Sequence, residues 1–151
     1  MQKKINIKNK KASFQFLFTE EFVAGIVLVG SEVKSIKNGM VSFTDCYCFF
    51  RNDEIFVKNL HISEYKQASY NQHDPKRDKK LLLTKREIKK IKEKVKEKGL
   101  TVVPTKLFVN DKGMIKISIA LAKGKKLYDK RETIKKRDDE RKIELHKKNY
   151  F

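Results

Sequence analysis

The sequence predicts a mainly β chain with helices: a small antiparallel β-barrel of about six strands, similar to the oligonucleotide-binding fold, with two or three helices and a basic C-terminal tail. Three observations carry this. Short apolar runs with strand spacing are joined mostly by hairpin signals, not by regular helical crossovers, which favours a closed antiparallel sheet over a doubly wound one. One segment carries a complete helix signature, with a capping box at its start and a glycine at its end. The 151 residues include 37 Lys and Arg against 19 Asp and Glu, a net charge of +18, beside 39% apolar residues, enough for one modest core.

Such an excess of one sign repels itself in a compact monomer and points to a polyanionic partner. Nucleic acid is expected rather than anionic lipid, because no apolar run is long enough to span a bilayer and there is no lipidation signal. The start, MQKKINIKNKK, is basic but lacks the apolar segment of a secretory signal, so a cytoplasmic chain is expected.

Residues 1–11 read as a flexible basic arm, 12–127 as the barrel domain and 128–151 as the tail. Phe14–Phe18 alternates as a strand with phenylalanines at even positions; Thr19–Phe22 reads as a turn, and Ala24–Val29 as a central strand. Ser31–Asn38 is expected to be a short helix capped by Ser31, with Glu32 at its positive end, Val33 and Ile36 inward, and a stop at Asn38-Gly39. Val41–Phe50 and Ile55–Ile62 form a hairpin around Asn52-Asp53. Cys46 and Cys48 lie on one face of that first run and are expected to pack as reduced, small hydrophobes.

Ser63–Lys80, with the cluster Lys76, Arg77, Lys79 and Lys80, reads as a long surface loop. Leu81–Leu83 leads into a helix capped by Thr84 and Glu87, striped by Ile88, Ile91 and Val95 and ended by Gly99; its many lysines are either a solvated face or a phosphate-contacting one. Leu100–Val109 and Met114–Leu121 form a second hairpin, with Ile115, Ile117, Ile119 and Leu121 on one face of the latter and Pro104 marking an edge or bulge in the former.

No P-loop, dinucleotide fingerprint, metal-ligand spacing or cluster of carboxylates stands out. His61, His73 and His146 are scattered; His61, at a strand end, either stacks on a base or closes the barrel. The expectation is a non-enzymatic protein with no cofactor and no metal. From Tyr128 onward, Ile134, Ile143 and Leu145 are too sparse to offset the ordering of a free helix. Acid-before-base pairs at four-residue spacing, such as Glu132 with Lys136, leave a helix of about 36 Å latent until phosphates add to them.

The runs AGIVLVGSEVKSIKNG (24–39), HIS (61–63), HDPKRDKKLLLTKREI (73–88), KGLTVVPTKL (98–107) and LAKGKKLYDKRETIKKRD (121–138), collinear from about Asn9 to Arg141, resemble the SsrA-binding protein (small protein B) family, the bacterial partners of transfer-messenger RNA in trans-translation. The resemblance implies a monomer whose barrel binds the tRNA-like domain of transfer-messenger RNA. It implies a tail that is disordered alone and turns helical on the 70S ribosome, in the empty mRNA channel near the small-subunit decoding centre. The implied RNA-binding residues are Asn9, Lys10, Lys11, Phe14, Lys34, His61, Lys80, Leu82, Lys116 and Lys123, with Lys34, Lys116 and Lys123 expected on one barrel face. Gly124, Lys125 and Lys126 are implied as a hinge. Tyr128, Asp129, Lys130, Arg131, Lys135, Lys136 and Arg137 are implied at the decoding centre, Tyr128 by stacking on a base. Three positions depart from the family pattern: Phe14 for a frequent histidine, Val23 for a common acid and Glu64 for a frequent proline. Rival readings are a general single-strand or ribosomal RNA-binding protein, and a membrane-surface protein using the basic helix, which lacks a wide apolar face.

Overall fold

A computed structural model describes residues 5–64 and 74–125. In chain order these form β1 (Asn6–Lys8), α1 (Lys10–Gln15), β2 (Phe16–Ile26), α2 (Gly30–Lys37), β3 (Val41–Ser42), β4 (Tyr47–Arg51), β5 (Glu54–Lys58), β6 (His61–Ile62), β7 (Lys79–Leu82), α3 (Lys85–Lys98), β8 (Thr101–Val109) and β9 (Ile115–Gly124). Six strands close into a ring in the order β8-β4-β5-β7-β2-β9, with β9 returning to β8; β1 adds to the free part of β8, and β3 pairs with β6 in a small separate ribbon. Each pairing is antiparallel. The mainly β architecture and the six-strand closure are those expected, as are α2 and α3; α1 falls where an arm and a strand were expected.

The inner face of the ring holds one core. Ile55, Val57, Leu81, Leu107, Ile117, Ile119 and Leu121 are shut off from solvent, with Ile36 of α2, Ile91 of α3 and the linking Leu60 and Ile62 packed against them. Each such side chain contributes about 1.5–3 kcal/mol on burial. Cys46 and Cys48 are free thiols in this core, and loss of hydration pushes the Cys46 thiol up to about 12 and Cys48 well above its ordinary range. The helix read from the capping box is α3: Thr84 Oγ1 accepts from the Glu87 amide at 3.2 Å, and Gly99 closes it in the left-handed region at φ 61°.

The N-terminal region differs from expectation. The arm expected over 1–11 contains, among its described residues, a strand and the start of a helix. β1 pairs with β8 at Asn6–Phe108, Ile7–Leu107 and Lys8–Lys106. Asn9 then caps α1 by accepting from the Ala12 amide at 3.2 Å. The strand expected from Phe14 begins at Phe16, and the turn expected at Thr19–Phe22 is continuous strand. A bulge at Thr19 shifts the register against β9 between Phe18 and Glu20. The extra residue reverses which side chains face inward. Phe16 and Phe18 therefore pack outside the ring with Ala12, Val103 and Ala122, whereas Phe22 and Ala24 join the main core.

The other differences are local. Ala24–Val29 leaves the sheet at Ile26, because Val27–Val29 leads into α2, whose cap is Val29 with Glu32 folding back onto its amide rather than Ser31. Val41–Phe50 breaks at Thr44-Asp45 into β3 and β4. Pro104 does precede a bulge, at Thr105 opposite β9. Among the described residues, no helix is long and apolar enough to cross a membrane.

Candidate nucleic-acid interface

Strand pairing decides which of the predicted residues share a surface. Directly opposed residues in antiparallel strands point to the same side. Leu82 lies opposite Gly25, Gly25 opposite Lys116, Lys116 opposite Phe108 and Phe108 opposite Asn6. Because Leu81, Ala24, Ile117 and Leu107 point into the core, this row is the outside of the ring. The next row runs Val23, Ser118, Lys106 and Lys8. Leu82 and Val23 are 53% and 56% exposed, so two apolar side chains stand on the solvent side of the ring. Lys106 places its ammonium 5.2 Å from the Phe108 ring centre. The result is an apolar shelf of Leu82 and Val23 beside Lys116, Lys106 and Lys8, a surface on which an unstacked base and its phosphates find complementary chemistry.

Gly25 makes the shelf possible. A Cβ at this position would stand 3.1 Å from Leu82 Cβ and 3.4 Å from its Cδ1, so the glycine is the space across which Leu82 lies.

The expected grouping of Lys34, Lys116 and Lys123 on one face is not found. Lys116 and Lys123 are an odd number of residues apart on the uninterrupted strand β9 and project to opposite sides. Lys123 instead borders a depression with Thr19, Glu20, Lys94, Lys98 and Leu100, beneath α3. Lys34 is exposed on α2. Lys10 and Lys11 are exposed and Phe14 half-buried on α1. Asn9 is turned inward: its amide donates to the Pro104 carbonyl at 2.8 Å across the bulge, so its side chain is committed to holding α1 on β8. His61 on β6 lies half-buried in a shallow pocket with Ser42, Thr44, Asp45, Asn59 and Lys76. Lys80 projects outward opposite Phe56 and pairs with Glu54 at 2.9 Å.

The basic cluster expected as a loop surface is partly interior. Lys79 is fully buried on β7, with its ammonium donating to the carbonyls of Leu60 at 2.9 Å and Arg77 at 2.7 Å. Glu32, equally buried, accepts from Arg77 Nη2 at 2.6 Å and stands 3.7 Å from Lys79 through its second oxygen, which receives no hydrogen bond. Burial holds the Lys79 ammonium below its ordinary value of 10.5, against the opposing pull of Glu32. This node ties the start of α2 to β7, the strand that presents Lys80 and Leu82. Its one signal in the sequence is parity: Lys79 shares a strand face with Leu81.

At the exit from the ring, Gly124 is the last residue of β9, opposite Phe16. The Lys125 amide donates to Gln15 at 2.9 Å and its ammonium to the Ser13 carbonyl at 3.0 Å. The chain is thus anchored through Lys125, where a hinge was expected. Lys126, Tyr128, Asp129, Lys130, Arg131, Lys135, Lys136 and Arg137 lie outside the described residues, as do His73 and the 127/128 boundary.

A family model described as SmpB protein matches residues 6–149, nearly the whole chain. The chain belongs to the SmpB family. It is 53% identical over 140 residues to the SsrA-binding protein of Phocaeicola vulgatus, covering 93% of each chain. It is 47% identical over 150 residues to the SsrA-binding protein of Christiangramia forsetii, covering 99% of this chain and 96% of that one. Among solved structures it is similar to a chain described as "tmRNA-SmpB: a journey to the center of the bacterial ribosome", with a TM-score of 0.70 and 39% identity over 86% of this chain and 94% of the other. The SmpB match takes in every element from β1 to β9, so the shelf and the buried node sit on the shared fold.

Proposed function

We propose that this chain binds transfer-messenger RNA through its tRNA-like domain and delivers it to stalled ribosomes for trans-translation. Membership of the SmpB family carries the reading, and the outer row Leu82–Gly25–Lys116–Phe108 supplies a surface with fitting chemistry. The ring holds the RNA; phosphates meet Lys116, Lys106 and Lys8, and an unstacked base rests on Leu82 and Val23. Lys10, Lys11, Phe14, Lys34, His61, Lys80 and Lys123 lie on other parts of the surface and add to the positive field that draws the RNA in. From the anchored Lys125 the tail runs into the empty mRNA channel near the decoding centre, becomes helical, and sets Tyr128 and the cations from Lys130 to Arg137 against ribosomal RNA. The protein works by binding alone, as a monomer in the cytoplasm, with no reaction of its own and no cofactor.

The test is competition at near-physiological salt between the tRNA-like domain, an ordinary tRNA and an unrelated hairpin of equal length. Preference for the tRNA-like domain is expected. Equal binding of all three would make charge the whole of the recognition and overturn the assignment.

A further inference from the structure

β7 carries Lys80 and Leu82, yet at four residues it is the shortest strand of the ring. It meets β2 at Gly25–Leu82 and Ile26–Leu81, with one further bond from the Val27 amide to the Lys80 carbonyl at 2.9 Å, and it meets β5 at Phe56–Lys80 and Val57–Lys79. Side chains supply the rest of its hold, and they converge on Arg77, just ahead of the strand. Arg77 Nη2 donates to the Val27 carbonyl at 3.3 Å and to Glu32 Oε1 at 2.6 Å. The same Glu32 oxygen accepts from the Val29 amide at 2.9 Å. Arg77 therefore fastens both ends of the link from β2 to α2. Its own backbone is fixed as well: the amide donates to the Asp74 carbonyl at 3.1 Å, and the carbonyl accepts from the buried Lys79 ammonium at 2.7 Å.

Val27 is 43% exposed and follows Gly25 on the outer side of β2, beside Lys80. The link that Arg77 grips is thus the corner of the surface on which Leu82 stands. Arg77 itself has little left to offer a ligand. Its Nη1 leans on the Asp78 carbonyl at 3.4 Å, its Nε is buried with no hydrogen-bond partner among the described residues, and its charge is met by Glu32. A guanidinium fixes two acceptors in set directions, which the single ammonium of a lysine does not match. We infer that Arg77 is a positioning residue for RNA binding: without touching RNA, it sets β7 against the β2–α2 link and so places Leu82 and Val27. The inference rests on the RNA surface proposed around Leu82 and adds a residue that acts through Leu82 rather than beside it.

The test is a double-mutant cycle on the full chain, read as affinity for the tRNA-like domain over a salt series, well below each variant's melting temperature. The variants are Arg77→Met, Leu82→Ala and the two together. Arg77→Met should weaken binding at least about fivefold, as expected for lost hydrogen bonds to a charged group. The slope of log affinity against log salt should stay that of the parent, since no phosphate contact is lost. The double variant should bind within about twofold of Leu82→Ala alone, because both changes remove the same contact. A residue that only stabilises the fold would leave affinity unchanged at this temperature. If Arg77→Met does not fold, Arg77→Lys takes its place: it keeps the charge opposite Glu32, loses the fork, and should show the same coupling with a loss of about threefold. Unchanged affinity in the Arg77 variant, a shallower salt slope, or losses that add in full would overturn the positioning role. Leu82→Ala alone reads the surface beneath the inference: parent-like binding there removes that surface and the positioning role with it, whereas a loss there with none at Arg77 removes the positioning role and leaves the surface standing.

Discussion

Gly25 and Glu32 show how single residues set the proposed RNA-binding surface from beneath. Gly25→Ala forces a Cβ to within 3.1 Å of Leu82, and overpacking of this kind costs about 1–3 kcal/mol. Because Leu82 is on the outside, the strain is expected to displace it rather than open the ring. Titration with the tRNA-like domain should therefore show a several-fold loss of affinity while the thermal transition stays cooperative. Glu32→Ala leaves the Lys79 charge buried without its partner, and urea unfolding should report a loss of about 3–5 kcal/mol. Glu32→Gln combined with Lys79→Met removes both charges and should recover most of that loss. Little of this node was legible in advance. With cations throughout the chain, residue type does not distinguish Lys79 from Lys76 or Lys80; only its shared parity with Leu81 does, and that counts only once β7 is known to begin at Lys79. Lys116 and Lys123 differ in that their odd spacing separates them once one strand holds both, and the strand read as ending at Leu121 runs on to Gly124.

At the scale of elements, the parts whose signals are local were legible and those defined by partners were not. α3 carries its own cap, stripe and stop. The β8–β9 hairpin carries its own alternation and turn. β1 is three residues long and exists by pairing with β8, and α1 buries a single residue, Ala12, so neither leaves a periodic mark. The Thr19 bulge is invisible because alternation reads continuously through it while the facing reverses. The tether of α3 to β2 is testable by pH. Hydrogen bonds from Lys90 and then Lys94 hold the Glu20 carboxyl below its ordinary value of 4.5. The tether's contribution is therefore present above that value and lost as pH falls through the lowered native one. Glu20→Gln should lower the melting temperature at neutral pH and low salt, and the difference should vanish in acid or in high salt. In the β4–β5 turn, Asn52 and Asp53 both have positive φ, 49° and 62°. Asn52→Gly relieves that strain and should raise stability by up to about 1 kcal/mol in denaturant melts.

For the whole molecule, charge and tail belong together. Removing everything from Tyr128 onward leaves the ring and its Lys125 anchor, so affinity for the tRNA-like domain is expected to hold while tagging on stalled ribosomes is lost. Binding and a reconstituted tagging assay on the same truncated protein measure the two, and loss of RNA affinity would refute the division between ring and tail. Composition announced the polyanionic partner; which cations share one outer row of the ring came only with the strand order. That order also bears on how the protein is made. β9 is bonded along both edges, to β2 and to β8, and its pairing of Gly124 with Phe16 joins residues more than a hundred positions apart. A nascent chain can pair only the end of β2, at Gly25 and Ile26, with β7; the stretch from Phe16 to Ala24 has no partner strand until β9 has left the ribosome. Copies cut short before β9 keep two open strand edges and bared apolar faces, the features by which incomplete chains aggregate or are degraded. Ring closure by the last strand thus acts as a proofreading step on synthesis, in which a truncated copy fails to fold instead of persisting as a partial RNA binder.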